Sequence, residues 1–215
     1  MSLSDNIPDR IFLYRIIHID NLEYILNVGK LTCPNHRQKD ANYIGIGDDS
    51  LIRKRTQKKI LIDPGGTFFD YIAFYFGPRS PMLYSITKGN IFVQKRNQED
   101  IIYLVATFEK IKSSKNKYVF SDGHASNHLS NFFNEESELR KIPWDMVREE
   151  FWKDDETDYD RKRKKQAEFF VYHELDINYL EGIAVFSQSA LDKVNILLSK
   201  YQRSIKTRIW KKGYY

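Results

Sequence analysis

The alternation of apolar and polar positions predicts strands and helices mixed along the whole chain. Residues 11–19 are rich in β-branched and aromatic side chains and read as an opening strand. A helix is expected at once, with Asp20 as N-cap, Glu23 completing a capping box, Leu22, Ile25 and Leu26 forming one apolar stripe, and Gly29 closing it. Residues 70–76 are dense in aromatics and are stopped by Pro78-Arg79-Ser80-Pro81, after which a short helix is expected over 82–87. Residues 101–108 form the continuous apolar run of a buried strand. A charged hairpin is expected at 110–117, a strand at 118–120, and a turn at Ser121-Asp122-Gly123-His124 leading into a helix through Phe133. Residues 167–172 and 183–186 read as late strands, and Ser189 as the cap of a helix in which Leu191, Val194 and Leu198 recur at helical spacing.

Two segments break this rhythm. Residues 32–67 are polar and punctuated by Pro34, Gly45, Gly47, Pro64 and Gly65-Gly66, with a short helical piece expected over 48–55. Ordered loops longer than about 12–15 residues usually form lids or binding surfaces, so this segment is the first candidate for ligand contact. Residues 149–165 mix Asp154, Asp155, Glu156 and Asp158 with the run Arg161-Lys162-Arg163-Lys164-Lys165, and are expected to be a solvated loop or helix. No internal repeat or linker interrupts the chain, so 1–215 is read as a single domain.

Composition narrows the class. Thirty-four Lys and Arg against 29 Asp and Glu give a net charge of +5, a mild bias toward polyanionic partners. Fourteen Tyr and 14 Phe supply flat faces for stacking as well as core. Cys33 is the only cysteine, which rules out an internal disulfide and suits a reducing compartment. The first ten residues carry Asp5 and Asp9 and no apolar leader, and no run of about 18 apolar residues occurs, so a cytoplasmic protein with no membrane contact is expected.

One carboxylate is out of place. In Gln166-Ala167-Glu168-Phe169-Phe170-Val171-Tyr172, strand alternation sets Glu168 with Phe170 and Tyr172 on one face. Removing an ionised carboxylate from water costs several kcal/mol unless it is paired. Either that face is wet and Glu168 pairs with an ordinary Lys or Arg, or the carboxylate serves catalysis. Five basic residues ending three positions earlier would hold a polyanionic substrate close to it.

Four blocks then carry a family resemblance: Arg15-Ile16-Ile17-His18-Ile19-Asp20-Asn21; Pro64-Gly65-Gly66 through Asp70-Tyr71-Ile72-Ala73-Phe74-Tyr75-Phe76-Gly77-Pro78-Arg79-Ser80-Pro81-Met82-Leu83; Phe120-Ser121-Asp122-Gly123-His124-Ala125; and Gln166-Ala167-Glu168-Phe169. Their order and spread over the chain resemble the DarT family, the DNA ADP-ribosyltransferase toxins of bacterial toxin–antitoxin pairs. The resemblance implies an α+β, ADP-ribosyltransferase-like fold with a mixed sheet core. It further implies NAD as co-substrate, a base of single-stranded DNA, usually thymine, as acceptor, and a macrodomain antitoxin that removes the modification. Glu168 falls on the family's catalytic glutamate, and Arg55 on its essential arginine, with Arg53 close by in the sequence. NAD contacts are expected from Arg15, His18, Asp20, Asn21, Tyr71 and Tyr75, and DNA contacts from His124, Arg79, Met82 and Arg163.

The chemistry suits those residue types. Breaking the nicotinamide–ribose bond builds positive charge on the sugar, which a carboxylate stabilises more in the transition state than in the ground state. A guanidinium with a pKa above about 12 is a poor base, so Arg55 is expected as an electrostatic clamp, with Glu168 or water taking the acceptor's proton. Tyr71 and Tyr75, four apart in an aromatic block, either pack in the core or stack on nicotinamide or the target base. Cys33 and His36 with His124 and His128 would be a weak zinc set, since no second cysteine supports it, and no metal is expected. Gly45-Ile46-Gly47 lacks the third glycine and preceding strand of a Rossmann fingerprint. The rival readings are a noncatalytic single-strand binding module and a transferase that modifies RNA or protein.

Overall fold

The computed structural model describes residues 7–215. The reading of the N-terminus as free of a leader falls mostly on residues 1–6, outside the described residues. In chain order the elements are β1 (Phe12–His18), α1 (Leu22–Val28), β2 (Lys30–Thr32), α2 (Asp49–Gln57), β3 (Tyr71–Tyr75), α3 (Pro81–Lys88), β4 (Ile101–Thr107), α4 (Phe108–Ser113), β5 (Tyr118–Ser121) and β6 (Phe132–Phe133). They continue with α5 (Trp144–Arg148), α6 (Arg161–Lys165), β7 (Glu168–Tyr172), β8 (Glu174–Asp176), β9 (Leu180–Val185), α7 (Gln188–Lys200) and β10 (Thr207–Ile209).

Eight strands make one mixed sheet in the order β10-β9-β4-β1-β3-β7-β5-β6, and β2 pairs with β8 apart from it. Only β9 and β10 run parallel among the registered pairs of the large sheet. β1 is registered against β4 along its whole length, from Phe12 opposite Thr107 to His18 opposite Ile101. Against β3 it keeps one registered pair, Tyr14 with Tyr75. The sheet is therefore parted between two central strands, and Arg15 spans the gap with Nη1 donating to the Ala73 carbonyl at 2.9 Å.

Period-two alternation divides the strands between two cores. Leu13, Ile17, Ile72, Phe74, Leu104, Phe169 and Val171 pack with Leu22, Leu26 and Val194 on one face. Ile16, Tyr103 and Val105 lie under Leu83 and Ile86 of α3 on the other, where Tyr71, Phe170 and Val119 also pack on Phe68. β4 is buried at every position, as its unbroken apolar run requires. Among the described residues no helix is long and apolar enough to cross a membrane.

Four local expectations are corrected. Residues 19–21 form a 3-10 turn in which the His18 ring accepts from Asp20 N, so α1 starts after Asn21 and not at an Asp20 cap. Gly29 does close it, with φ at 80°. The supposed hairpin at 110–117 contains α4, because Phe108 and Ile111, three apart, bury one helical face. No helix follows Ser121: Asp122 accepts from the Asn131 backbone and amide groups, closing a loop that returns as β6. The late helix α7 is capped by Ser187, whose Oγ accepts from Ala190 N, two residues before the expected Ser189.

Candidate active site

Glu168 opens β7 opposite Tyr75 of β3, beside the place where the sheet parts. Its side chain is only 1% exposed. Oε1 accepts from Arg55 Nη2 at 2.6 Å and from the Ala125 backbone N–H at 3.0 Å, while the buried Oε2 accepts no hydrogen bond among the described residues. A buried carboxylate oxygen without a donor is expensive, so a donor brought to it would be strongly held.

Arg55 arrives from α2, a helix set by the Asp48 cap, whose Oδ1 accepts from Ser50 N at 2.9 Å and Leu51 N at 3.0 Å. Its guanidinium lies 5.6 Å from the Phe68 ring centre, and Nε donates to Ser126 Oγ at 3.2 Å. Burial opposes its charge, but the Glu168 carboxylate prevails and holds Arg55 above its ordinary pKa. The neighbouring Arg53 is exposed and takes no part in this pair.

The Ala125 peptide is held from both ends. Its N–H serves Glu168, and its carbonyl accepts from Lys58 Nζ at 2.6 Å. His124 N–H donates to the Arg163 carbonyl at 2.9 Å, and the His124 carbonyl accepts from Ser130 Oγ at 2.8 Å. Burial lowers the His124 pKa; Glu168 opposes this while Arg55 and Lys58 add to it, so the ring is neutral at pH 7. Gly123 has no Cβ to meet the Arg163 side chain that crosses it, which lets the turn sit directly on α6.

On the far side of Arg55, the partner of Glu168, opens a cleft of about 590 Å³, lined by Arg55, Tyr75, Met82, His124 and Arg163, with residues of α2 and the segment 154–166. Of the predicted DNA contacts, His124, Met82 and Arg163 thus meet in one place. Arg79 does not: it pairs with Glu150 at 2.9 Å and lies 4.9 Å from the Tyr215 ring centre. Arg163 faces the cleft with most of its donors spent, Nε and Nη2 on Asp160 and Nη1 on Asp122 and Ser130. Tyr75 rests its hydroxyl 3.6 Å from Met82 Sδ, and burial raises its pKa, so it is a neutral phenol.

A second cavity, about 330 Å³, lies under the loop before α2 and is lined by Arg15, Asn21, Tyr24, Cys33, Tyr43 and Phe69 among others. Asn21 is 2% exposed, and its amide is matched to Ile44, donating to the carbonyl at 2.9 Å and accepting from the N–H at 2.8 Å. It pins the loop instead of offering a free amide. His18 is 7% exposed and is absent from both linings, its Nδ1 accepting from Asp20 N at 3.3 Å; Asp20 itself borders a shallow neighbouring depression. Of the two readings of Tyr71, core packing fits its placement: its ring is 2% exposed, packed edge-on against Phe170 and Tyr172, with its hydroxyl donating to Gly65 O. Among the described residues no three His, Cys, Asp or Glu side chains gather as a metal site.

Sequence reasoning missed several lining residues. Ile52, Leu129 and Tyr159 border the cleft although 36%, 58% and 78% exposed, and Phe69 and Tyr43 border the second cavity. Large apolar side chains in polar loops were the available signal.

The site thus joins a mixed sheet parted at two central strands to a carboxylate buried beside the parting and clasped by an arginine. A family model described as "ssDNA thymidine ADP-ribosyltransferase, DarT" matches residues 14–215, and the chain belongs to this family. A DNA ADP-ribosyl transferase of Thermus sp. strain 2.9 is 34% identical over 94% of both chains. The structure of Thermus sp. 2.9 DarT in complex with ADP-ribosylated ssDNA superposes with a TM-score of 0.89 at 33% identity, covering 97% of this chain and 98% of that one. Its complex with NAD+ gives 0.84, covering 97% and 99%. A Thermosipho africanus DNA ADP-ribosyl transferase–DNA ADP-ribosyl glycohydrolase fusion protein is 28% identical over 80% of this chain and 42% of its own length.

Proposed function

We propose that this protein breaks the nicotinamide–ribose bond of NAD and transfers the ADP-ribose to thymine in single-stranded DNA, Glu168 being the catalytic carboxylate. The observation that carries the assignment of Glu168 is its divided environment: Oε1 is fixed by Arg55 and Ala125, and Oε2 is buried and unpartnered. A ribose hydroxyl is the donor that fits, and it would set the sugar against the negative charge as nicotinamide leaves with the bonding electron pair. The thymine ring nitrogen then bonds to the anomeric carbon and gives up its proton to Glu168 or to water.

Arg55 has a different task from the one its charge suggests. With its pKa raised by Glu168 it takes no proton; it holds the carboxylate in place and itself lines the cleft. Neutral His124 offers one donor and one acceptor, which suits the edge of a thymine. The cleft with Met82, Tyr75 and His124 is read as the acceptor side, and the cavity with Arg15 as the NAD side. The whole chain is read as one catalytic domain working in the cytoplasm, with an ADP-ribosyl glycohydrolase as the partner that reverses the modification.

The direct test incubates the protein with NAD and a thymine-containing oligonucleotide, followed by mass spectrometry. Addition of one ADP-ribose to thymine with release of nicotinamide is expected. Labelling of RNA or protein alone would transfer the site to another acceptor.

A further inference from the structure

A third cavity lies on the same sheet face as Glu168. The cross-strand registers Glu168–Tyr75, Tyr75–Tyr14, Tyr14–Val105 and Val105–Gly182 form one row across four strand pairs. Residues in register share a face and strands lie about 4.8 Å apart, so the row carries the surface from about 10 to about 20 Å from the carboxylate's strand. Tyr75 lines the Glu168 cleft, and its cross-strand partner Tyr14 lines the third cavity, about 460 Å³, with Arg10, Phe12, Gly182, Lys206 and Arg208.

The walls bring the rings of Phe12 and Tyr14 beside the guanidinium groups of Arg10 and Arg208, with Trp210 packed behind them. Tyr14 stacks on Trp210 at 5.6 Å and 26°, and Phe12 is 6.4 Å from Tyr14. The Arg208 guanidinium lies 4.9 Å from the Trp210 ring centre, and Arg10 lies 4.9 Å from that of Phe12. Phe12, Tyr14 and Trp210 are only half-buried. The acidic wall residue, Glu181, is neutralised by Arg10 and Lys110, each at 3.0 Å. Lys206 and Arg208 are exposed and have no acidic partner among the described residues. Half-open rings beside unpaired cations are the elements that grip single-stranded nucleic acid, the rings taking bases and the cations phosphates.

We propose that this groove is a second nucleic-acid subsite, which holds the single strand beyond the nucleotide being modified, with phosphates on Arg208 and Lys206 and bases against Phe12 and Tyr14, Trp210 backing them. The proposal rests on the reading of the Glu168 cleft as the place where the base reacts. It makes strand length, and not only the target base, a determinant of turnover.

Arg208→Glu and the milder Arg208→Ala test it, since Arg208 is exposed on the edge strand β10 and outside the catalytic cleft. Labelling from NAD is compared for thymine oligonucleotides of about five and about fifteen nucleotides, lengths chosen to fill one subsite or both. Arg208→Glu should raise KM for the longer strand about tenfold, leave the shorter one within about twofold, and lower the salt dependence of long-strand binding by about one counterion. Equal effects on both lengths, or none on either, overturn the subsite. Polyglutamate should not displace the long oligonucleotide; full displacement would make the groove a surface for acidic proteins and overturn it as well. If the unchanged protein labels no oligonucleotide, the activity reading fails separately, and fluorescence anisotropy with the long oligonucleotide still decides the subsite by the same tenfold criterion.

Discussion

Two basic segments of similar appearance have opposite fates. In α2, Arg53 and Lys54 are exposed and Arg55 alone turns inward to the buried carboxylate. In α6, the denser run is largely consumed by its own surroundings. Arg163 is tied to Asp160 and Asp122, Lys164 pairs with Asp158 at 2.8 Å, and Lys165, 1% exposed, donates to the Val147 carbonyl at 2.8 Å. Burial pushes Lys165 down to about 8. Only Lys162 of that run lines the cleft without an acidic side-chain partner among the described residues. Charge density therefore says little about function; what each cation is already bonded to says more.

The contrast can be broken most strongly at Arg55. Arg55→Ala leaves the 1%-exposed Glu168 unpaired, with an expected loss of about 3 kcal/mol in urea unfolding and at least about a hundredfold in turnover. Arg53→Ala should change stability by less than about 0.5 kcal/mol and leave turnover unaltered. Equal effects at the two positions would dissolve the distinction drawn within α2. Arg163→Ala comes next: it removes the ties to Asp122 and Asp160 that seat the His124 turn. About 1–2 kcal/mol of stability should go, with kcat falling as His124 loosens.

Lys162→Ala should act only on DNA binding, raising KM a fewfold and reducing the salt slope by about one, with stability unchanged. An unchanged salt slope would mean that even this lysine belongs to the scaffold. The smallest effect concerns pH. His124 has a pKa lowered in the folded state by burial, so the unfolded chain binds its proton first. The stability tied to the neutral ring is complete above the unfolded pKa and is lost as pH falls below it, toward the folded value. Melting temperature measured from pH 7 to 5 should fall less in His124→Asn than in the unchanged protein.

Much of this was legible in residue order. The β4 run, the Gly29 stop and the α2 helix after Asp48 all follow from local pattern, and Glu168 stood out as an acid in an apolar strand. What sequence could not reveal was partnership across distance. The solvated face expected for the basic run became a strut because Asp122, forty-one residues away, meets Arg163. The bonds of Asn21 to Ile44 and the core packing of Tyr71 were equally hidden, since neither burial nor a loop's return path is written in local spacing. The helix expected after Gly123 failed for the same reason, as Asp122 closes on Asn131.

The central claim is that the Glu168 charge acts on the ribose as nicotinamide departs. Single-turnover nicotinamide release by Glu168→Gln, alongside calorimetric NAD affinity, tests it most directly, because the amide keeps the shape and an acceptor for Arg55 while removing the charge. The account predicts at least about a thousandfold slower release with NAD affinity within about threefold. Release at the unmodified rate with NAD bound would contradict it.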